Sequence, residues 1–100
     1  MRQIGNDRKI EPKSFFKGRL RSVGPIGVDG AKRYTVGVFL PGRYEFTADS
    51  RGEQIVIVDG TCTINGQVLK AGEEILIPGG DTIVIEATGT CAYFCFFGRR

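Results

Sequence analysis

The sequence contains no histidine and no tryptophan. Without histidine, the commonest metal ligand and the usual acid–base side chain near neutral pH are both missing. The three cysteines form no C-x-x-C pair, and thiols alone in this spacing make a poor zinc site. We therefore expect no metal and no other cofactor, so any chemistry must come from carboxylates, basic side chains and hydroxyls.

The cysteines also lack the spacing of a disulfide. If Cys91 and Cys95 share one face of a strand, they lie about 13 Å apart at roughly 3.3 Å per residue. That separation is too large for a disulfide bond. Together with Cys62, they are predicted to be buried, reduced core residues.

Long hydrophobic runs are absent as well. No stretch approaches the roughly 18 apolar residues of a membrane-spanning helix, and the polar start has no signal-peptide core. Apolar residues make up 41% of the 100 residues and charged residues 25%, which is typical of one folded domain rather than a disordered chain. We expect a cytoplasmic protein that contacts no membrane.

The formal net charge of +3 comes mostly from the two ends of the chain. Basic flanks can attract nucleic acid or small anions, but solvated termini carry such charges equally well. No signature of a nucleic-acid-binding module accompanies them. The predicted partners therefore exclude nucleic acid.

Glycine and short β-type segments dominate what is present. Apolar residues alternate along residues 34–40, and the segment 54–58 is apolar on both faces. Asn65-Gly66 is a strong signal for a type I′ hairpin. Short strands with turns every eight to twelve residues or so indicate an all-β sandwich or barrel. We predict a flexible arm over residues 1–13 and one β-barrel domain over residues 14–100.

Two glycine frames resemble the paired motifs of the cupin fold, one over residues 42–60 and one over residues 72–80. In the first frame, Ala48 and Ser50 stand where cupins carry two histidines. In the second frame, Ile83 stands where cupins carry another. The resemblance implies a single-domain, jelly-roll-like cupin barrel that works without the usual metal.

A narrower resemblance runs from Phe15 to Phe97. The chain is similar to the pyrimidine/purine nucleoside phosphorylase family, small single-domain cupins formerly catalogued as a domain of unknown function. That family implies a metal-independent glycosyltransferase of nucleoside metabolism, which cleaves purine and pyrimidine nucleosides with phosphate to free base and pentose 1-phosphate. The segments that carry the resemblance are FFKGRLRSVG (15–24), TVGVFLPGRYEF (35–46), EQIVIVDG (53–60), AGEEILIPG (71–79) and AYFCFF (92–97).

The resemblance assigns catalytic roles to Glu53 and Tyr44. The carboxylate of Glu53 is expected to point into the barrel, where it would hold ribose hydroxyls or stabilise the positive charge that develops on the sugar. The alternative is a surface glutamate after the preceding loop. Tyr44 is expected to hydrogen bond the substrate through its phenol, and the alternative is a core aromatic residue.

Six further residues are predicted to bind substrate. Two arginines on one face of a strand would clamp phosphate, although a solvated strand edge uses arginine in the same way. Two glycines would turn backbone N–H groups toward an anion, or simply form a tight turn. Two polar neighbours complete the set, which comprises Arg19, Arg21, Thr47, Gln54, Gly79 and Gly80.

The chain departs from the family pattern at Arg43, Glu45, Gly80 and Phe96. Because its central strands are apolar on both faces, a homodimer through an outer sheet face is expected.

The main rival function is a non-catalytic cupin that binds a nucleoside, sugar or other small ligand. A cation close to Glu53 inside the barrel would favour the enzyme, since phosphate requires one.

Overall fold

A computed structural model describes residues 12–24 and 32–98 of the chain. These residues form ten β-strands and contain no helix, which confirms the all-β prediction. The strands are β1 (Lys13–Phe15), β2 (Leu20–Val23), β3 (Tyr34–Phe39), β4 (Gly42–Thr47), β5 (Glu53–Asp59), β6 (Thr61–Ile64), β7 (Gln67–Lys70), β8 (Glu74–Ile77), β9 (Thr82–Ala87) and β10 (Cys91–Phe97).

The strands pair into two antiparallel sheets. The larger sheet has six strands in the order β1-β2-β3-β10-β5-β8, and the smaller has four in the order β4-β9-β6-β7. Within the described ranges they are two facing sheets, and their closure into one continuous barrel stays a prediction. The last strand, β10, lies between β3 and β5, so the centre of the larger sheet is assembled from distant parts of the sequence.

The core lies between the two sheets and follows the alternation of the strands. This core includes Ile55 and Ile57 of β5 and Ile83 and Ile85 of β9, and all four are almost fully buried. Each such side chain contributes about 1.5–3 kcal/mol relative to an exposed one. The three cysteines are also buried, as predicted.

The Asn65-Gly66 hairpin is confirmed between β6 and β7. Both residues have the positive φ that a type I′ turn requires, 50° at Asn65 and 82° at Gly66. The Asn65 side chain also accepts a hydrogen bond from the N–H of Val84 at 2.7 Å and donates one to the carbonyl of Thr82 at 3.1 Å. The turn is thereby joined to β9.

The outer face of the larger sheet is apolar and exposed. Val36 and Val38 of β3 are 41% and 39% exposed, Val58 of β5 is 55% exposed and Leu76 of β8 is 69% exposed. Between them lie the half-buried aromatic side chains of β10. We call this surface the outer apolar face.

The predicted arm lies almost entirely outside the described residues. Its last residue, Lys13, is the first residue of β1, which pairs with β2. Across the described part of the chain, no helix has the length and apolar character needed to cross a bilayer.

Candidate functional site

A cavity of about 510 Å³ opens between the two sheets, a size typical of small-molecule sites. Its walls are mostly apolar and rich in phenylalanine. A few polar side chains converge on it from the larger sheet and the neighbouring loop. The apolar lining is Phe15, Phe16, Leu20, Phe39, Phe46, Ile55, Ile85 and Phe97, and the lining with polar or ionisable groups is Ser22, Lys32, Thr35, Glu53, Tyr93 and Cys95.

Glu53 is the carboxylate of this cavity. It is the first residue of β5 and lies on the same face as Ile55, which also lines the cavity. Its Oε2 accepts a hydrogen bond from the Asp49 N–H at 2.9 Å, and its Oε1 accepts one from the Cys95 thiol at 3.3 Å. Two donors from different elements therefore hold the carboxylate in one orientation.

Cys95 keeps its proton in this arrangement. Burial, and then the negative charge of Glu53, raise the pKa of the Cys95 thiol well above its ordinary value. A protonated thiol is a weak donor and a poor nucleophile. Cys95 therefore serves Glu53 as a hydrogen-bond donor.

Tyr93 brings a second polar group into the cavity, together with Ser22 and Thr35. Burial raises the pKa of Tyr93 to about 12, while hydrogen bonds with the Ser22 and Thr35 hydroxyls oppose part of that rise. Gly37 is paired with Tyr93 across the β3–β10 ladder, and a Cβ there would lie 2.8 Å from the tyrosine hydroxyl. The absence of a side chain at residue 37 thus makes room for the phenol.

The loop before β5 braces one end of the cavity. Arg51 forms an ion pair with Asp49, with Nε 2.8 Å from Oδ1, and donates a hydrogen bond to the Lys32 carbonyl at 2.8 Å. Its guanidinium also lies 5.3 Å from the centre of the Phe97 ring. Hydrogen bonds from Arg51 hold the pKa of Asp49 below its usual value. Arg51 therefore joins the loop that orients Glu53 to the backbone of Lys32.

Tyr44, predicted to be catalytic, lies in the core and outside the cavity lining. It is 1% exposed, and its hydroxyl donates a hydrogen bond to the Leu40 carbonyl at 2.5 Å. The edges of Phe16 and Phe39 pack against its ring. These surroundings match the alternative interpretation, a core aromatic residue.

Arg19 and Arg21 are exposed and also lie outside the cavity lining. Arg19 donates a hydrogen bond to the Pro41 carbonyl at 2.6 Å, and Arg21 donates one to the Gly18 carbonyl at 2.9 Å. On β2 it is Ser22, the neighbour of Arg21, that faces the cavity. The two arginines and Glu53 are not brought together.

The other four predicted residues lie away from the cavity as well. Thr47 is exposed at the end of β4, and Gln54 faces away from the cavity, with its amide donating to Glu74 at 2.6 Å. Gly79 lies so close to the carbonyl of Ser50 that a Cβ would come within 2.0 Å of it. Gly80, exposed with a φ of 83°, completes the turn between β8 and β9. Both glycines thus have a turn geometry that explains them.

Five of the six polar or ionisable residues of the cavity were not predicted as site residues, and one of these five, Cys95, was predicted only as a buried core residue. Tyr93 had a signal, because it alternates with Cys95 in a segment that carries the family resemblance. Ser22 and Thr35 are ordinary polar positions of strands, with nothing local to mark them. Lys32 lies between two matched segments and comes to the cavity only through the tertiary structure.

The cavity does not fit the metal that the cupin motifs usually hold. Glu53 and Cys95 are two possible ligands, and histidine is missing from the chain. No group of three metal-binding side chains occurs in the described ranges. Because a transition metal needs at least three protein ligands in a typical site, we derive no step through a metal.

Comparison with known proteins gives a family, a relative and two structures. The sequence profile described as pyrimidine/purine nucleoside phosphorylase matches residues 10–97. The chain is 30% identical over 92 residues to a Tolumonas auensis protein of that name. The alignment covers 86% of this chain and 96% of the relative. The structure superposes on the crystal structure of a Vibrio parahaemolyticus protein of unknown function with a TM-score of 0.76. The superposition covers 88% of this chain and 97% of the other, and the two sequences are 26% identical.

A more distant structure supports the fold alone. The cupin domain of CENP-C from Drosophila melanogaster superposes with a TM-score of 0.70, covering 89% of this chain and 75% of that one. The identity is only 14%, so the likeness shows a cupin-like fold and nothing of function.

Proposed function

This chain belongs to the pyrimidine/purine nucleoside phosphorylase family, and on that basis we propose that it cleaves nucleosides by phosphorolysis. The products are a free purine or pyrimidine base and a pentose 1-phosphate, and the reaction uses no metal. The observation that carries the proposal is that an acidic residue, Glu53, and a basic residue, Lys32, line the same cavity. An enzyme that binds phosphate next to a sugar requires both.

The cavity suits a nucleoside in size and lining. Its volume of about 510 Å³ lies within the range of small-molecule sites. Phe16, Phe46 and Phe97 offer aromatic surface for a base, and stacking on such rings tolerates every base because each has a π-face. The two facing sheets form the walls of this space.

Glu53 stabilises the reacting sugar. An oxygen of phosphate bonds to the anomeric carbon as the bond from that carbon to the base nitrogen breaks, and the electron pair of the broken bond leaves with the base. The sugar passes through a cationic state, which a nearby carboxylate favours over the neutral ground state. Since the Asp49 N–H and the Cys95 thiol already orient Glu53, little reorganisation is needed.

Lys32 supplies the positive charge for phosphate. It is the basic side chain in the cavity lining among the described residues. Arg51 holds the Lys32 backbone through its carbonyl and is itself paired with Asp49. We assign phosphate binding to Lys32 and the positioning of Lys32 to Arg51, in place of Arg19 and Arg21.

The alternative is a non-catalytic cupin domain that binds a nucleoside, sugar or other small ligand. The mostly apolar lining favours it, because such walls bind ligands without any reaction.

Exposed apolar side chains on the outer apolar face support a homodimer, which we propose as the cytoplasmic form of the protein.

The decisive experiment measures release of free base from uridine, inosine and adenosine with and without phosphate. We expect release only with phosphate. Lys32→Met should lower kcat/KM for phosphate by about ten- to a hundredfold, because it removes one charge-assisted hydrogen bond. Such a bond contributes about 1.5–3 kcal/mol. The matched control is Lys70→Met on β7, an exposed lysine outside the cavity lining. Binding of nucleosides without cleavage of any would favour the alternative.

A further inference from the structure

The hydroxyls of Tyr93, Ser22 and Thr35 form a group that the steps above do not use. We propose that this hydroxyl cluster is the subsite for the departing base, in which Tyr93 donates a hydrogen bond to the base as the glycosidic bond breaks. The inference rests on the proposed phosphorolysis. In this arrangement Tyr93 contacts the base, and the three hydroxyls suit both purines and pyrimidines.

The fold brings the cluster together from three strands. Ser22 of β2 is paired with Gly37 of β3, and Gly37 is paired with Tyr93 of β10. Thr35 lies two residues before Gly37 and so shares its face of the sheet. Because residue 37 has no side chain, the tyrosine ring extends across β3 toward Ser22.

The cluster is polar within largely apolar walls. Ser22 is 8% exposed, Thr35 5% and Tyr93 9%, and all three line the cavity. Their neighbours in the lining include Leu20 and Phe39. Hydroxyls buried in such surroundings form strong hydrogen bonds with whatever polar atom enters.

The cluster differs from Glu53 in the charge that it favours. Burial raises the pKa of Tyr93 to about 12, so the phenol keeps its proton at the pH at which an enzyme of this kind is assayed. A neutral donor stabilises the negative charge that develops on the leaving base. The carboxylate of Glu53 stabilises the positive charge on the sugar. The two groups thus favour opposite ends of the breaking bond.

Hydroxyls also suit bases of different shape. Purines and pyrimidines present ring nitrogens and carbonyl oxygens at different positions. A hydroxyl rotates and both donates and accepts, so three of them adapt to either arrangement. A fixed amide or carboxylate would select one arrangement and penalise the other. Tyr93 contributes a hydrogen bond only, and the proton that the base finally carries comes from water.

The test compares Tyr93→Phe with the parent on two kinds of substrate. For uridine and inosine, kcat should fall by about ten- to a hundredfold. For 4-nitrophenyl β-D-ribofuranoside, whose leaving group is stable as an anion, kcat should change by less than about threefold. The matched control is Tyr34→Phe on β3, whose ring stacks on Phe94 and which lies outside the cavity lining. This control should match the parent on both substrates.

A second variant covers the case in which Tyr93→Phe unfolds. Ser22→Ala removes one partner of the phenol, and it should give a smaller fall in kcat with the same dependence on the leaving group. Equal losses on nucleosides and on the nitrophenyl substrate would overturn the inference, since they indicate a structural role. Parental activity of Tyr93→Phe would overturn it too, while the proposed function would stand. A parent that cleaves no nucleoside would overturn both.

Discussion

Replacing Glu53 by glutamine tests the centre of the mechanism. The carboxylate accepts hydrogen bonds from the Asp49 N–H and from the Cys95 thiol. In Glu53→Gln the amide oxygen can still accept from Asp49, and the amide N–H₂ then faces the Cys95 sulfur, which must act as an acceptor. Both charge-assisted bonds become neutral ones, and because a thiol is a weak donor the combined loss is about 1 kcal/mol in the free energy of unfolding. For a domain of this size, the melting temperature should fall by about 4–8 °C.

The effect on catalysis should be larger than the effect on stability. Loss of one electrostatic contact to the transition state lowers kcat by about a hundredfold or more, or at least about 2.7 kcal/mol. KM should change little, because the charge on the sugar is absent from the ground state. The measurement is steady-state release of free base at saturating phosphate, together with a thermal melt of each variant.

The matched control is Glu45→Gln. Glu45 is exposed on β4 and pairs with Arg43 at 3.2 Å, so the same chemical change is made outside the cavity. We expect parental kcat from this variant. If Glu53→Gln keeps kcat within about threefold of the parent, the carboxylate is a structural residue and the assigned mechanism is wrong.

Three further predictions concern assembly, metal and thiols. Light scattering should give about twice the chain mass of 10.9 kDa. Leu76→Glu on the outer apolar face should shift the protein toward the monomer. A parent that is monomeric at micromolar concentration would contradict the dimer. Activity should survive prolonged EDTA treatment, with well under one transition metal per chain, whereas a stoichiometric metal needed for turnover would refute metal independence. At pH 8, the three cysteines, Cys62, Cys91 and Cys95, should resist thiol reagents in the folded protein and react fully in denaturant. Burial raises the pKa of all three thiols and so lowers the fraction present as reactive thiolate. Rapid labelling of the native protein would contradict their burial.

Local features of the fold could be predicted because their causes are local. The alternation along β3 and β5 follows from the two-residue period of a strand, which decides the face on which each side chain lies. Asn65-Gly66 predicts its turn because both residues tolerate positive φ. The exposed apolar side chains of the larger sheet likewise follow from a strand that is apolar on both faces.

The candidate site could be predicted only where a motif marked it. Glu53 stands at the position that the cupin frame assigns to a glutamate, and it does line the cavity. Tyr44 stands at a position that matches the family equally well, yet its hydroxyl is bonded to the Leu40 carbonyl in the core. A match to a motif places a residue on a strand and a face, but it does not say whether that part of the face meets the cavity or the packed core.

What the amino-acid sequence establishes by itself is the class of fold, its turns and its family, because each depends on short patterns and on their order along the chain. What the tertiary structure alone decides is which side chains meet. Tyr93 reaches Ser22 because β10 pairs with β3, which lies far away in the sequence, because β3 pairs with β2, and because Gly37 leaves the space between them. Lys32 lines the same cavity as Glu53, and its backbone carbonyl is bound by Arg51 from the loop that orients Glu53. Register between distant strands and the volume left unfilled between two sheets are properties of the whole packing, and no local pattern encodes them.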